Sequence, residues 1–361
     1  MTDLISIASL FAIEGDILEI KPLGNGLIND TFKVVTAGQS PDYVLQRINN
    51  AIFTDVDLLQ SNIEAVTRHI RAKLLAAGED DIDRKVLRFL PLRDSARTWA
   101  LADGKYWRVS VFIAGANTYE TVNPYYSEFA GEAFGHFEAM LADIPDTLGE
   151  TIPDFHNMEL RWRQLREAVA ADKAGRMSLP ESREILADME KYASDMCRAE
   201  QLHREGKLPK RICHCDTKVN NMLFDADGKV LCVIDLDTVM PSYVFSDFGD
   251  FLRTAANTLP EDDPDTERVD FRMDIFEAFA RGYLRGTASF LTPVERDNLP
   301  YAACLFPFMQ AVRFFADYLN GDTYYKTLYP DHNLVRTRNQ LRLFHRALSK
   351  VPQMQSFIQQ H

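Results

Sequence analysis

The segment between Ile212 and Asp237 constrains this 361-residue chain more than any other. It reads Ile212-Cys213-His214-Cys215-Asp216-Thr217-Lys218-Val219-Asn220-Asn221-Met222-Leu223-Phe224, then Asp225-Ala226-Asp227-Gly228, then an apolar run over 229–234 that ends in Asp235. Two short apolar runs around an Asp-Gly pair predict a β-hairpin, because the glycine supplies the positive φ that a tight turn needs. Such a ribbon carries the chain back to where it began, so Asn221 on one strand meets Asp235 on the other. An ordinary hairpin with solvated acids is the plain alternative, but it leaves the His-x-Asp-x-Lys-x-x-Asn loop ahead of it unexplained.

Phosphoryl transfer from MgATP requires these residue types in this order. An attacking hydroxyl needs a carboxylate to orient it and take its proton, the γ-phosphate needs a cation, and Mg²⁺ needs hard oxygen ligands. Asp216 and Lys218 are accordingly the candidate catalytic residues, and Asn221 and Asp235 the candidate metal ligands. Asp247-Phe248-Gly249 looks like the metal motif of protein kinases. Asp235 is preferred because it ends a strand directly after the hairpin; Asp247 is read as a support that accepts backbone hydrogen bonds from the loop.

The first hundred or so residues read as strands. Runs over 17–23 and 27–35 flank Gly24-Asn25-Gly26 and predict a hairpin whose glycine tip, Gly24 and Gly26, can close over phosphates. The tip lacks the third glycine of the kinase loop and any Walker lysine, so taken alone it is simply a hairpin. A third strand over 43–48 carries Arg47, a forked cation for the α- and β-phosphates, with Glu64 on the following helix as its partner and a surface ion pair as the alternative. That helix has a capping-box-like start in Thr54 and Asp57 and a stripe of Leu59, Ile63, Val66, Ile70 and Leu74. Further strands are expected over 86–90, 98–101 and 106–113, with Asp103-Gly104 as a turn. Ala114-Gly115-Ala116-Asn117 reads as a hinge that leaves backbone near Val111 and Ile113 for adenine.

From Asn123 the apolar period becomes helical, with Asn123-Pro124 as cap and N1. Helices are expected over 157–174, 180–203, 267–285, 293–320 and 333–351, with another beginning at Asp247; Thr292-Pro293-Val294-Glu295 is a capping box. The fold class is α+β, with a β-rich nucleotide-binding lobe over 1–114 and a mainly helical catalytic and substrate-binding lobe over 115–361. Hydrophobic residues are 46% and charged residues 26%, which suits a folded chain rather than a disordered one. A net charge of −13 without a Lys/Arg cluster argues against a nucleic-acid partner. No basic leader or ~20-residue apolar run is evident, so a cytoplasmic, membrane-free protein is expected. Five cysteines, odd in number and sparse, argue against a disulfide framework. Zinc at Cys213, His214, Cys215 and Cys232 is disfavoured because Cys-x-Cys on a strand splits its side chains between two faces.

On His214, Asp216, Asn221 and Ile234-Asp235, the chain resembles the aminoglycoside phosphotransferase and choline kinase superfamily along nearly its whole length. The resemblance implies a bilobal, protein-kinase-like fold. Within that group Gly24-Asn25-Gly26-Leu27-Ile28-Asn29-Asp30-Thr31-Phe32, Leu45-Gln46-Arg47-Ile48-Asn49 and Cys232-Val233-Ile234-Asp235-Leu236-Asp237-Thr238-Val239-Met240-Pro241 are most similar to N-acetylhexosamine 1-kinases. What this implies is transfer from ATP, with Mg²⁺, to the anomeric hydroxyl of N-acetylglucosamine or N-acetylgalactosamine. It adds Thr31 to the nucleotide residues and makes Asp216, Asp237, Arg313 and Tyr324 the acceptor contacts. Leu27, where related sequences often have His, and Arg47, in place of a lysine, depart from the pattern. Arg313 sits at the border of its helix's apolar stripe, where a structural ion pair is the other reading. Arg313, Tyr318, Asn320, Asp322, Tyr324 and Tyr325 suit neutral hydroxyl and acetamido groups. A choline- or aminoglycoside-type amine kinase is the alternative, and a nucleotide-binding pseudokinase a further one.

Overall fold

Most strands precede residue 123 and most helices follow it. A computed structural model describes residues 3–24, 29–119 and 122–361. In chain order it has α1 (Leu4–Ala8), β1 (Ile17–Pro22), β2 (Asp30–Thr36), β3 (Tyr43–Ile48), α2 (Val56–Ala76), α3 (Ile82–Lys85), β4 (Trp99–Ala102) and β5 (Lys105–Val111). There follow α4 (Pro124–Leu141), α5 (Met158–Ala171), α6 (Pro180–Met196), α7 (Arg198–Arg204), β6 (Arg211–Cys213), β7 (Met222–Phe224), β8 (Val230–Val233) and β9 (Met240–Ser242). The chain closes with α8 (Phe245–Ala255), α9 (Met273–Thr287), α10 (Pro293–Asp297), α11 (Leu299–Leu319) and α12 (His332–Gln360). Two compact units are formed, one of Met1–Tyr119, Met140–Pro153 and Asn220–Met240, the other of Glu120–Ala139, Asp154–Val219 and Pro241–His361. The β7–β8 hairpin belongs to the first unit, where Asn117 and Phe224 exchange both backbone hydrogen bonds at 2.9 Å.

The first unit is built on an antiparallel sheet in the order β1-β2-β3-β5-β4. Strand alternation sorts its side chains onto two faces. Val34, Tyr43, Leu45, Trp107 and Val109 join Ile7, Phe11 and Leu90 in an apolar core on one face. The other carries Thr31, Gln46 and Arg108. Asp103 and Gly104, at φ 51° and 70°, make the two-residue turn between β4 and β5. The 86–90 run does not become a strand. It lies along β5 as an irregular segment, with Val111 N–H donating to Arg88 and Leu90 N–H to Val109. The cap of α2 falls on Asp55, which accepts the Leu58 N–H at 2.9 Å, while Asp57 takes the Trp99 indole N–H; the expected Thr54–Asp57 box is one residue early.

The second unit is organised around α11, which packs against α12, α8 and α5. By length and composition α11 could cross a membrane, an apolar run longer than expected, but 89% of its apolar 18-residue stretch is buried inside the protein. The capping box at Thr292 and Glu295 forms, yet the expected 293–320 helix is two, parted at Asn298. Helices α4 and α9 cross in backbone contact. A Cβ on Gly131 would lie 2.1 Å from the Phe279 carbonyl oxygen, and one on Gly282 would lie 2.0 Å from that of Glu128.

Candidate active site

The loop from His214 to Val219 lies in the second unit and hangs on α8. Both oxygens of the fully buried Asp247 are occupied, one by the His214 N–H and the other by the Cys215 N–H, each at 2.7 Å, and the Thr217 hydroxyl donates to the Asp247 carbonyl at 2.8 Å. Asp247 thus has the supporting role expected of it. Cys215 is held at φ 62°, costly for a residue with a Cβ, and those bonds offset the strain. The His214 ring sits edge-on to Phe134 and Phe137 and accepts the Asp216 N–H at Nδ1.

Asp216, the candidate base, pairs with Lys218 at 2.5 Å, and both keep part of their side chains in solvent. Burial opposes the Lys218 charge, but Asp216 and Asp250 outweigh it and hold the ammonium above its ordinary pKa. Asp250 is itself raised by burial and is met by Arg253, which also reaches Glu261 at 2.8 Å. Loop, cation and counter-charges form one network.

In the first unit the hairpin forms as the spacing predicts. Met222 pairs with Val233 and Phe224 with Val230, Gly228 takes φ 79°, and Asp225 accepts the N–H groups of Asp227 and Lys229. The Ile234 N–H donates to the Asn221 carbonyl at 2.9 Å, which brings Asn221 across from the residue that precedes Asp235. Asp235 is left-handed, at φ 59° and ψ 57°. An amide oxygen and a carboxylate at one end of a ribbon are a hard-oxygen donor pair that fits Mg²⁺.

The Arg47–Glu64 pair does not form. Alternation puts Arg47 on the face of Tyr43 and Leu45, where it pairs with its cross-strand neighbour Asp30, and Glu64 instead accepts the Thr98 hydroxyl. The other face carries a row in which Thr31 and Asp237 were expected site residues and Gln46 and Arg108 were not. Thr31 accepts from Gln46 at 3.2 Å, Gln46 accepts from Arg108 at 3.0 Å, and Arg108, 2% exposed, pairs with Asp237 at 2.6 Å. Asn29 donates to the same carboxylate at 2.7 Å. Arg108 interrupts an apolar strand between Trp107 and Val109, and a charge so placed demands a buried partner. Asp237 is therefore committed inside the first unit. Gly24 has φ 69° and nothing near its missing Cβ; Gly26 and Leu27 lie outside the described residues. Val111 donates its N–H to Arg88, and Ile113 is buried.

Among the described residues Arg313 makes no ion pair. It donates to Gln310 at 3.1 Å and lies over the rings of Phe155 and Tyr325, at 5.8 and 5.6 Å. Tyr325 packs against Tyr324, which is 71% exposed, and Asp317 accepts the N–H groups of Thr323, Tyr324 and Tyr325. Phe155 stacks on His156 at 4.2 Å, and Arg161 donates to the Phe155 carbonyl at 2.7 Å. Burial and then Arg313 push the Arg161 pKa down to about 10 and the His156 pKa well below its ordinary value, so the imidazole is neutral at pH 7. Among the described residues neither Arg161 nor Arg313 has a carboxylate at ion-pair distance, and sequence gave no sign that the 154–161 segment would meet α11.

The profile of the phosphotransferase enzyme family, APH, matches residues 19–291. An aminoglycoside phosphotransferase from Alicyclobacillus acidocaldarius subsp. acidocaldarius DSM 446 is 12% identical at a TM-score of 0.61, over 100% of this chain and 98% of that one. A choline/ethanolamine kinase family protein from Mesorhizobium loti is 17% identical at 0.54, over 99% and 98%. A spectinomycin phosphotransferase solved with ADP and spectinomycin is 13% identical at 0.50, over 99% and 98%. These likenesses show the expected fold class, a β-sheet N-terminal region and a helical C-terminal region of protein-kinase-like type. With a family profile covering most of its length, the chain belongs to the phosphotransferase enzyme family.

Proposed function

We propose that this kinase phosphorylates the anomeric hydroxyl of an N-acetylhexosamine, with ATP and Mg²⁺, in the cytoplasm. The observation that carries the acceptor reading is the charge of Arg161 and Arg313 beside the neutral His156. Two guanidinium groups that, among the described residues, have no carboxylate at ion-pair distance, set among Phe155, Tyr324 and Tyr325, repel an ammonium and offer donors to hydroxyl and acetamido oxygens. Quaternary ammonium would be served by an aromatic cage and a polycationic drug by carboxylates. Asp237 is left out of the acceptor set because Arg108 and Asn29 hold it.

In this reading Asp216 orients the acceptor hydroxyl and takes its proton, and Lys218 steadies the transferred phosphate. Asn221 and Asp235 hold Mg²⁺, which supplies neutralisation of charge on the phosphate oxygens. Gly24 and Thr31 meet the phosphates and the 111–113 backbone meets adenine, making residues 1–114 the nucleotide part and 115–361 the catalytic and acceptor part. A fold neighbour solved with ADP supports the choice of nucleotide.

The test is turnover of ATP with N-acetylglucosamine, N-acetylgalactosamine, choline, ethanolamine and an aminoglycoside, with the position of the product phosphate read by NMR. A sugar 1-phosphate is expected. Arg313→Ala should raise KM for that sugar at least ~10-fold, the scale of losing a charge-assisted hydrogen bond, with KM for ATP and the melting temperature little changed. Turnover of an amine acceptor in preference to both sugars would overturn the reading.

A further inference from the structure

The second unit buries more carboxylate than the reaction uses. Glu138 on α4 and Asp247 on α8, 2% and 0% exposed, bring oxygens within 4.8 Å of one another and of the Cys213 sulfur. Two ionised carboxylates at that spacing away from water repel strongly, so one of them holds a proton. Asp247 is poorly placed to do so, because each of its oxygens already accepts a backbone N–H. Glu138 differs. Its Oε2 accepts the Tyr283 hydroxyl at 2.6 Å, whereas its Oε1 has no hydrogen-bond partner among the described residues. A hydrogen on Oε1 turns that orphaned atom into a donor, and Asp247 is a carboxylate at hydrogen-bonding range of the Glu138 side chain.

We propose that Glu138 is a positioning residue for the catalytic loop: it carries a proton on Oε1, donates it to Asp247, and so steadies the carboxylate from which His214 and Cys215 hang.

The groups around it agree. Tyr283 comes from α9, Cys213 from β6, Asp247 from α8, and His214 from the loop itself. Arg211, a cation that feels the Glu138 charge, is taken up by Glu295 at 2.9 Å. Burial, then the Asp247 charge, raises the Glu138 pKa well above its ordinary value. Burial raises Asp247 too, but His214 and the two amides oppose it. A metal ion at the same three groups would need the Cys213 thiolate, and burial pushes that thiol well up.

Infrared spectroscopy of the unliganded protein at pH 8 reads the proton without any acceptor. The carbonyl stretch of a protonated carboxylic acid is expected in the wild type and is lost in Glu138→Gln. Kinetics read its consequence. Gln presents an N–H to Asp247 and an oxygen to Tyr283, so Glu138→Gln should hold kcat within about threefold of wild type. Glu138→Leu should lower kcat at least ~10-fold, with KM for ATP nearly unchanged, because a buried acceptor has lost its donor. Rescue by Gln separates positioning from bulk packing. Absence of the infrared band, a Gln variant as impaired as Leu, or a stoichiometric metal lost from Glu138→Gln would overturn the proposal. If the Leu variant does not fold, the band and the Gln variant still decide.

Discussion

Asp216 and Asp235 are aspartates nineteen positions apart to which the proposed mechanism gives different work. Asp216 pairs with Lys218 and keeps partial solvent access, which suits the proton transfer proposed for it. Asp235 is locked in a left-handed turn beyond the hairpin, a position suited to a fixed ligand. Asp216→Asn is expected to lower kcat by at least ~10²-fold with MgATP affinity little changed, whereas Asp235→Ala should weaken MgATP binding as well as turnover. Steady-state kinetics with calorimetric titration of MgATP checks both, and unchanged MgATP affinity in Asp235→Ala would take the metal from that residue. At this scale the loop was legible because its chemistry is local in sequence. The buried cation was not. Reading Arg47 as the phosphate-facing residue overlooked that Tyr43 and Leu45, its partners in alternation, are core, and that Gln46 and Arg108 share the opposite face. Glu138 gave no signal, since its role depends on helices more than seventy residues apart in the chain.

Elements with a local cause were read well. The hairpin turns at Asp103-Gly104 and Asp227-Gly228 and the caps at Asn123 and Thr292 follow from side chains within a few residues of each other. Where tertiary contacts decide, the reading slipped: 86–90 has strand composition but lies beside β5 without joining the sheet as a strand. The crossing of α4 and α9 was likewise invisible, although Gly131-x-x-x-Gly135 and Gly282-x-x-x-Gly286 sit one turn apart on each helix. Their meaning appears only when the helices meet, with backbone atoms where a Cβ would stand. Backbone cannot yield as a flexible side chain can, so Gly282→Ala should destabilise the second unit by about 3 kcal/mol, the upper range of overpacking costs. A melting temperature equal to wild type would show that the helices cross farther apart.

The stability of the whole chain carries the mark of acids buried without a countercharge. Glu200 on α7 accepts the Met158 N–H at 2.7 Å and so caps α5, but Arg204, a cation whose charge it feels, is held by both oxygens of Glu159 at 2.8 Å. Burial accordingly raises the Glu200 pKa from an ordinary 4.5 to about 7. Between those values the folded state holds a proton that the unfolded state has released, so stability must fall as pH rises, and the loss is complete above the folded pKa. A shift of that size corresponds to about 3 kcal/mol at most. Glu138 and Asp247 act in the same direction, since burial raises both. Carboxylates lowered by partners, such as Asp42 beside Lys33 and Asp270 beside Lys350, gain stability only as pH rises through the acid range, and their partial exposure makes that gain small. The maximum of stability is therefore expected on the acid side of neutrality, near pH 5. Glu200→Gln keeps an oxygen for the Met158 amide but cannot titrate. Denaturant unfolding at pH 5, 6 and 7 should show the wild type weakening across the series and the variant weakening less, with the two converging as Glu200 protonates. Parallel curves would mean that Glu200 is ionised throughout and that water or a cation reaches it in the folded protein.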